Sequence, residues 1–138
     1  MKRALVLLVL PLLVALGGCS SLLGTGDWDE VKVSYAAGFE AERAGDYTLV
    51  VTPKQASYTL DGKATSYDLP EGTWEVLTTG VRALGGHESQ ECLDGAQLTI
   101  EASAAGKSKQ SFEATSCDAD GLLERAKGVI EQVISQLK

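Results

Sequence analysis

Ala96-Gln97-Leu98-Thr99-Ile100-Glu101-Ala102 and Ser108-Lys109-Gln110-Ser111-Phe112-Glu113-Ala114 flank a short turn, Ala104-Ala105-Gly106, with Cys92 before the first run and Cys117 after the second. Apolar residues at every second position are the pattern of a strand with one face buried. Two such runs around a turn containing glycine predict a β-hairpin. If the turn centres on residue 105, Cys92 lies opposite about residue 118 and Cys117 opposite about residue 93. The hairpin therefore brings the two cysteines together at its open end, within the ~5.5 Å Cα separation that a disulfide requires.

The same pattern recurs upstream. Ala56, Tyr58 and Leu60 alternate up to Asp61-Gly62, and Thr65, Tyr67 and Leu69 alternate after it. Asp-Gly suits a two-residue type I′ turn, whose central residues both need φ > 0. That turn pairs Leu60 with Lys63, Tyr58 with Thr65 and Ala56 with Tyr67. The two tyrosines then share a face, either as cross-strand packing, the favoured reading, or, with Trp28, as a candidate binding surface. Val31, Val33 and Tyr35 predict one further strand, broken at Ala37-Gly38-Phe39, and Tyr47, Leu49 and Val51 another, ended by Pro53. Residues 40–45 are polar enough for a loop.

Two helices complete the pattern. Pro70 can open a short helix in which Trp74, Leu77 and Val81 fall at helical spacing and Gly80 is a candidate stop. Leu122, Ala126, Val129, Val133 and Leu137 form a stripe, widened by Leu123, Ile130 and Ile134, with charged residues opposite. Asp118 or Asp120 is placed to cap that last helix. The fold class is therefore α+β: a curved antiparallel sheet of two hairpins plus flanking strands, packed against a C-terminal amphipathic helix and held by one disulfide. Residues 28–138 form the single domain.

The first 27 residues belong to a different category. Lys2 and Arg3 precede an apolar run from Ala4 to Ala15, and Leu16-Gly17-Gly18 supplies small residues before Cys19. This is the layout of a cleaved secretory signal, too short to span a bilayer, which takes about 20 apolar residues. Leu16-Gly17-Gly18-Cys19 resembles the lipobox of bacterial lipoproteins. The resemblance implies a signal peptide over 1–18, diacylglyceryl transfer to the Cys19 sulfur, cleavage before it and, in many bacteria, acylation of the new amine. Two or three acyl chains, at ~0.8 kcal/mol per buried CH₂, anchor a protein stably. Ser20, rather than Asp, after the cysteine implies the outer membrane by the enteric sorting rule, with the domain facing the periplasm. In a Gram-positive host the place is the outer face of the cell membrane. Residues 19–27 are then a lipidated tether reaching ~15 Å as a flexible coil.

Processing sharpens the composition. Twelve Lys+Arg stand against 19 Asp+Glu, and loss of Lys2 and Arg3 leaves 10 against 19, a net charge of −9. Such a balance argues against nucleic acid and against a basic membrane-binding patch. With Cys19 acylated, Cys92 and Cys117 remain as a pair, and an even count in an oxidising compartment reads as a disulfide. Closing that loop stabilises by roughly 3–4 kcal/mol on the chain-entropy account. Zinc fits less well, since His87 is the single histidine.

Catalytic patterns are missing. There is no Gly-rich phosphate loop and no Gly-x-Ser-x-Gly elbow. His87, Glu88, Ser89 and Glu91 offer a base, acids and a hydroxyl, but neighbours on one loop rarely make a triad, whose members converge from separate elements. Asp118-Ala119-Asp120-Gly121 matches part of a calcium loop, yet Lys127 falls where the bidentate Glu belongs. No cofactor beyond the lipid on Cys19, and no metal, is expected. Gly38-Phe39, with Ala37 in place of a preceding glycine, and Asp94 give the chain a loose similarity to emfourin-type protease inhibitors. That similarity implies a small bacterial domain that plugs a metalloprotease cleft.

The expectation is a non-enzymatic, lipid-anchored binding or accessory subunit of an envelope assembly, its partners the membrane and an envelope protein. The alternative is a protease inhibitor, acting through an ordered loop over 36–45 or 84–95. A small-ligand binding domain is third. An enzyme would require His87 to meet distant acids in a cleft.

Overall fold

A computed structural model describes residues 28–38 and 45–137. The signal, Cys19, the tether and Phe39 lie outside the described residues. Six strands form one open antiparallel sheet: β1 (Glu30–Ala36), β2 (Tyr47–Val51), β3 (Gln55–Leu60), β4 (Lys63–Asp68), β5 (Gln97–Ala104) and β6 (Lys107–Thr115). Their order across the sheet is β4-β3-β2-β1-β5-β6. Helix α1 (Thr73–Leu84) follows β4, and α2 (Leu122–Ile134) follows β6 after one 3₁₀ turn. Fold class and disulfide agree with the sequence reading.

The first hairpin forms in the expected register; the second is offset by two residues from a turn centred on 105, pairing Ile100 with Phe112 and Gln97 with Thr115. Leu60 pairs with Lys63, Tyr58 with Thr65 and Ala56 with Tyr67, around Asp61 and Gly62 at φ 49° and 76°. The second hairpin turns through Ala105 and Gly106 alone, at φ 51° and 71°. Its register shifts at a bulge between Ala102 and Ser103. Asp29 braces the turn, its carboxylate accepting the Ala105 N–H at 2.7 Å. At the open end, Cys92 and Cys117 are bonded with Cα atoms 5.7 Å apart.

Alternation puts Val31, Val33, Tyr35, Leu49, Val51, Leu98, Ile100, Ala102, Phe112 and Ala114 on one buried face. Helix α2 covers β5 and β6 on that face and packs beside α1. Leu123, Ala126, Ile130 and Val133 are its buried positions, with Leu137 buried just past its end. The stripe is therefore centred on Leu123 rather than Leu122. Val129 points sideways, to α1.

Three local expectations need correction. Gly80 does not stop α1, which continues to Leu84 with Gly85 at its C-cap. A Cβ at Gly80 would stand 2.6 Å from Val129 Cγ1, so the glycine is where the two helices touch. Neither Asp118 nor Asp120 caps α2. Its N-cap is Gly121, with no side-chain cap bond, and Asp120 has φ 64°. Trp28 is 8% exposed, part of the core beneath Arg82, whose guanidinium carbon lies 4.5 Å from the ring centroid. It belongs to no surface open to a partner.

Candidate functional site

Helices cover only one face of the sheet. The other carries Lys32, Ser34, Thr48, Ser57, Thr59, Ser66, Thr99, Glu101 and Glu113 by the same alternation, with Val50 as an apolar member between Lys32 and Ser57. Hydroxyl and charged groups keep such a face soluble while leaving it free to pair by hydrogen bonds. At one end it deepens into a groove of about 540 Å³ lined by Ser34, Asp46, Thr48, Thr59, Asp61, Gln97 and Thr99, with Tyr35 and Tyr47 also bordering it. One Asp46 carboxylate oxygen accepts the Ala37 N–H at 2.8 Å. The groove offers hydroxyls, a carboxamide and two carboxylates, a lining that favours polar or cationic groups over anions.

Behind the groove, on the helical face, a row of aromatic rings crosses three strands. Tyr35 stacks on Tyr47 with centroids 5.2 Å apart, and Tyr47 meets Tyr58 at 5.5 Å. Lys127 of α2 lies 5.6 Å from the Tyr35 centroid. Burial, with Tyr58 and Glu131 nearby, pushes the Tyr47 hydroxyl up to about 12. Burial and Asp61 raise Tyr58 as well. Tyr58 and Tyr67 are both half-buried against the core, and Tyr58 ends the row. The signal for that row was legible: strand alternation places Tyr35 and Tyr47 on the same side as the neighbouring valines. The pairing of their strands was not.

A second cluster forms where the 85–96 loop meets β6. His87 N–H donates to the Ser111 carbonyl at 3.3 Å and its own carbonyl accepts Glu113 N–H at 2.8 Å. The loop thus adds a one-residue parallel bridge to the outside of β6. The imidazole leans on Phe112 with centroids 5.8 Å apart, and its Nε2 is 3.8 Å from Asp118 Oδ1, beyond hydrogen-bond distance. Asp118 is the organising acid. It accepts from Thr115 N–H at 2.6 Å, from the Thr115 hydroxyl at 3.3 Å and from Gln90 N–H at 3.4 Å. The Thr115 backbone bond, more than His87, holds its carboxyl below the usual range.

His87 therefore does meet a distant acid. The hydroxyl it would need does not face it: Ser89 donates to Glu113 Oε1 at 3.0 Å, and the Gln97 carboxamide donates to that same oxygen. No nucleophile–base contact links Ser89 to His87. Among the described residues no group of His, Cys, Asp and Glu is placed to hold a metal ion.

The loop ends in an exposed tip. Leu93 is 97% exposed, next to the Cys92–Cys117 bridge. Gly95 packs so closely on this bridge that a Cβ there would stand 2.2 Å from Cys92 Sγ. Gly38 touches the same segment, its missing Cβ 2.6 Å from the Asp94 carbonyl and Ala96 nitrogen. The loop is thus clamped by the disulfide, by β6 and by the end of β1. Among the described residues no helix is long and apolar enough to cross a membrane. No protein-family model, curated protein or solved structure matches the chain.

Proposed function

We propose that the chain is a lipid-anchored, non-enzymatic binding or accessory domain of the bacterial envelope. Acyl chains on Cys19 would hold it at the outer membrane on the periplasmic side, and one envelope protein would dock on the sheet face that no helix covers. The observation that carries this reading is the one-sided packing: both helices lie on the apolar face, leaving the hydroxyl-rich face and its groove open. The bonded cysteines fit an oxidising compartment. Photocrosslinking in the native envelope tests it, with the probe at Thr99 in the groove or at Glu124 on the helical face. The expected result is one envelope component captured from Thr99, not from Glu124, and lost in Cys19→Ala. Absence of specific capture from Thr99 would overturn the reading.

One observation favours a second reading, a protease inhibitor. An exposed Leu93 on a loop clamped by a disulfide is the shape of a segment that enters a protease cleft without being released after cleavage. A probe at Leu93 that captures a secreted protease, equally with and without Cys19, would replace the accessory-domain reading with this one.

A further inference from the structure

The two edges of the sheet are treated differently by the chain. On the outside of β6, Ser111 C=O and Glu113 N–H bond to His87, and Thr115 N–H bonds to Asp118. On the outside of β4 there is no such cover among the described residues. β4 has six residues, of which only Tyr67 is not exposed, with no proline and no bulge. Bare edges of this kind recruit another strand, and folded proteins normally blunt them.

The register says which atoms are free. A two-residue turn makes Leu60–Lys63 a hydrogen-bonded pair, so Lys63, Thr65 and Tyr67 direct their backbone groups at β3. Leu69 N–H bonded to the Lys54 carbonyl at 2.8 Å keeps that phase at the far end. Ala64, Ser66 and Asp68 therefore point three N–H and three C=O groups outward.

We propose that this edge pairs with β4 of a second copy of the chain, antiparallel about a two-fold axis at Ser66, joining the two sheets into one. A two-fold axis normal to the sheet keeps equivalent faces together and allows only registers that pair a residue of β4 with itself at the centre. Centring on Ser66 sets Ala64 opposite Asp68 of the second copy and uses every outward group. Centring on Thr65 leaves Asp68 without a partner residue in the strand. Charge selects the direction: β4 begins at Lys63 and ends at Asp68, so antiparallel pairing sets each basic end beside the other's acidic end. Parallel pairing would set like beside like. Tyr67 of each copy then flanks Thr65 of the other on the helical face.

Cysteine crosslinking of the full chain in detergent tests the proposal. A hydrogen-bonded antiparallel pair holds Cα atoms ~5.5 Å apart, within disulfide reach. Ser66→Cys should give a disulfide-linked dimer in about tenfold excess over Glu101→Cys, placed mid-sheet as control, because the strands hold the two thiols together. Thr65→Cys, facing Tyr67 in this register, should link less well than Ser66→Cys. Ser66→Pro, which removes an outward donor and no bond to β3, should shift the otherwise native chain from dimer to monomer by light scattering. Linking from Ser66 no better than from Glu101, a monomer before the Pro change, or linkage to a chain of different mass would each overturn it.

Discussion

Asp118 shows how one side chain can have a different task from the one its position suggests. It sits just before a helix, where acids commonly cap, yet it turns back to hold Thr115 and Gln90. Each of those bonds is made to the carboxylate, so the folded chain favours the ionised form and the pKa is lowered. A group depressed in the fold stabilises above its unfolded pKa and loses that contribution as pH falls through the folded value. The domain should thus lose stability as pH drops below the ordinary Asp range, with a slope that Asp118 steepens. Asp118→Asn should lower the urea midpoint at neutral pH and flatten the acid limb. Parallel acid limbs in the two proteins would show that Asp118 carries no such linkage. The sequence marked Asp118 as important through its helix-start position. Its real partners depend on where the 85–96 loop crosses β6, which no local pattern encodes.

Elements were legible wherever their signal was local. Both hairpins followed from alternation around a glycine-containing turn. The Asp61-Gly62 turn also fixed its register, whereas the second register, set by the tighter Ala105-Gly106 turn and a bulge, came out two residues away from the expected one, although the cysteines still meet at its open end. The β1–β5 pairing, between strands over 60 residues apart, had no such signal. Gly80 was misread for a related reason: a glycine in a helical pattern looks like a stop, and only the neighbouring helix shows that it is a contact. That contact makes a prediction at the scale of the helix pair. Gly80→Ala gains about 1 kcal/mol of helix propensity but drives a methyl into Val129, whose β-branched side chain cannot turn away. Overpacking typically costs ~1–3 kcal/mol, so the net effect should be a loss on the order of 1 kcal/mol. Adding Val129→Ala should recover more than 0.5 kcal/mol relative to the sum of the single changes, roughly the coupling expected of residues in contact. Additive behaviour in a denaturation double-mutant cycle would mean that α1 and α2 do not meet there.

At the scale of the molecule, the sheet has a closed end and an open end. The disulfide, the His87 bridge, Asp118 and the Gly38 contact all gather at the β6 side. The β3–β4 hairpin at the other side is secured by its ladder and by the half-buried Tyr58 and Tyr67. Breaking the bridge should therefore act in two ways. Globally, a closed loop with a sequence separation of 25 contributes about 3 kcal/mol on the chain-entropy account, a large share of the ~5–15 kcal/mol that holds a domain folded. Locally, Leu93 loses the clamp that presents it, while β2, β3 and β4 lie on the other side of the sheet from the bridge. Cys92→Ala/Cys117→Ala should lower the unfolding free energy extrapolated from urea titration by that order. In hydrogen exchange under native conditions it should expose Glu113 N–H, which the His87 carbonyl protects, before any amide of β2 or β3. Equal loss of protection at both ends would show that the bridge serves the whole sheet alike. Protection of Glu113 unchanged would place the loop's hold in His87 and Asp118 alone.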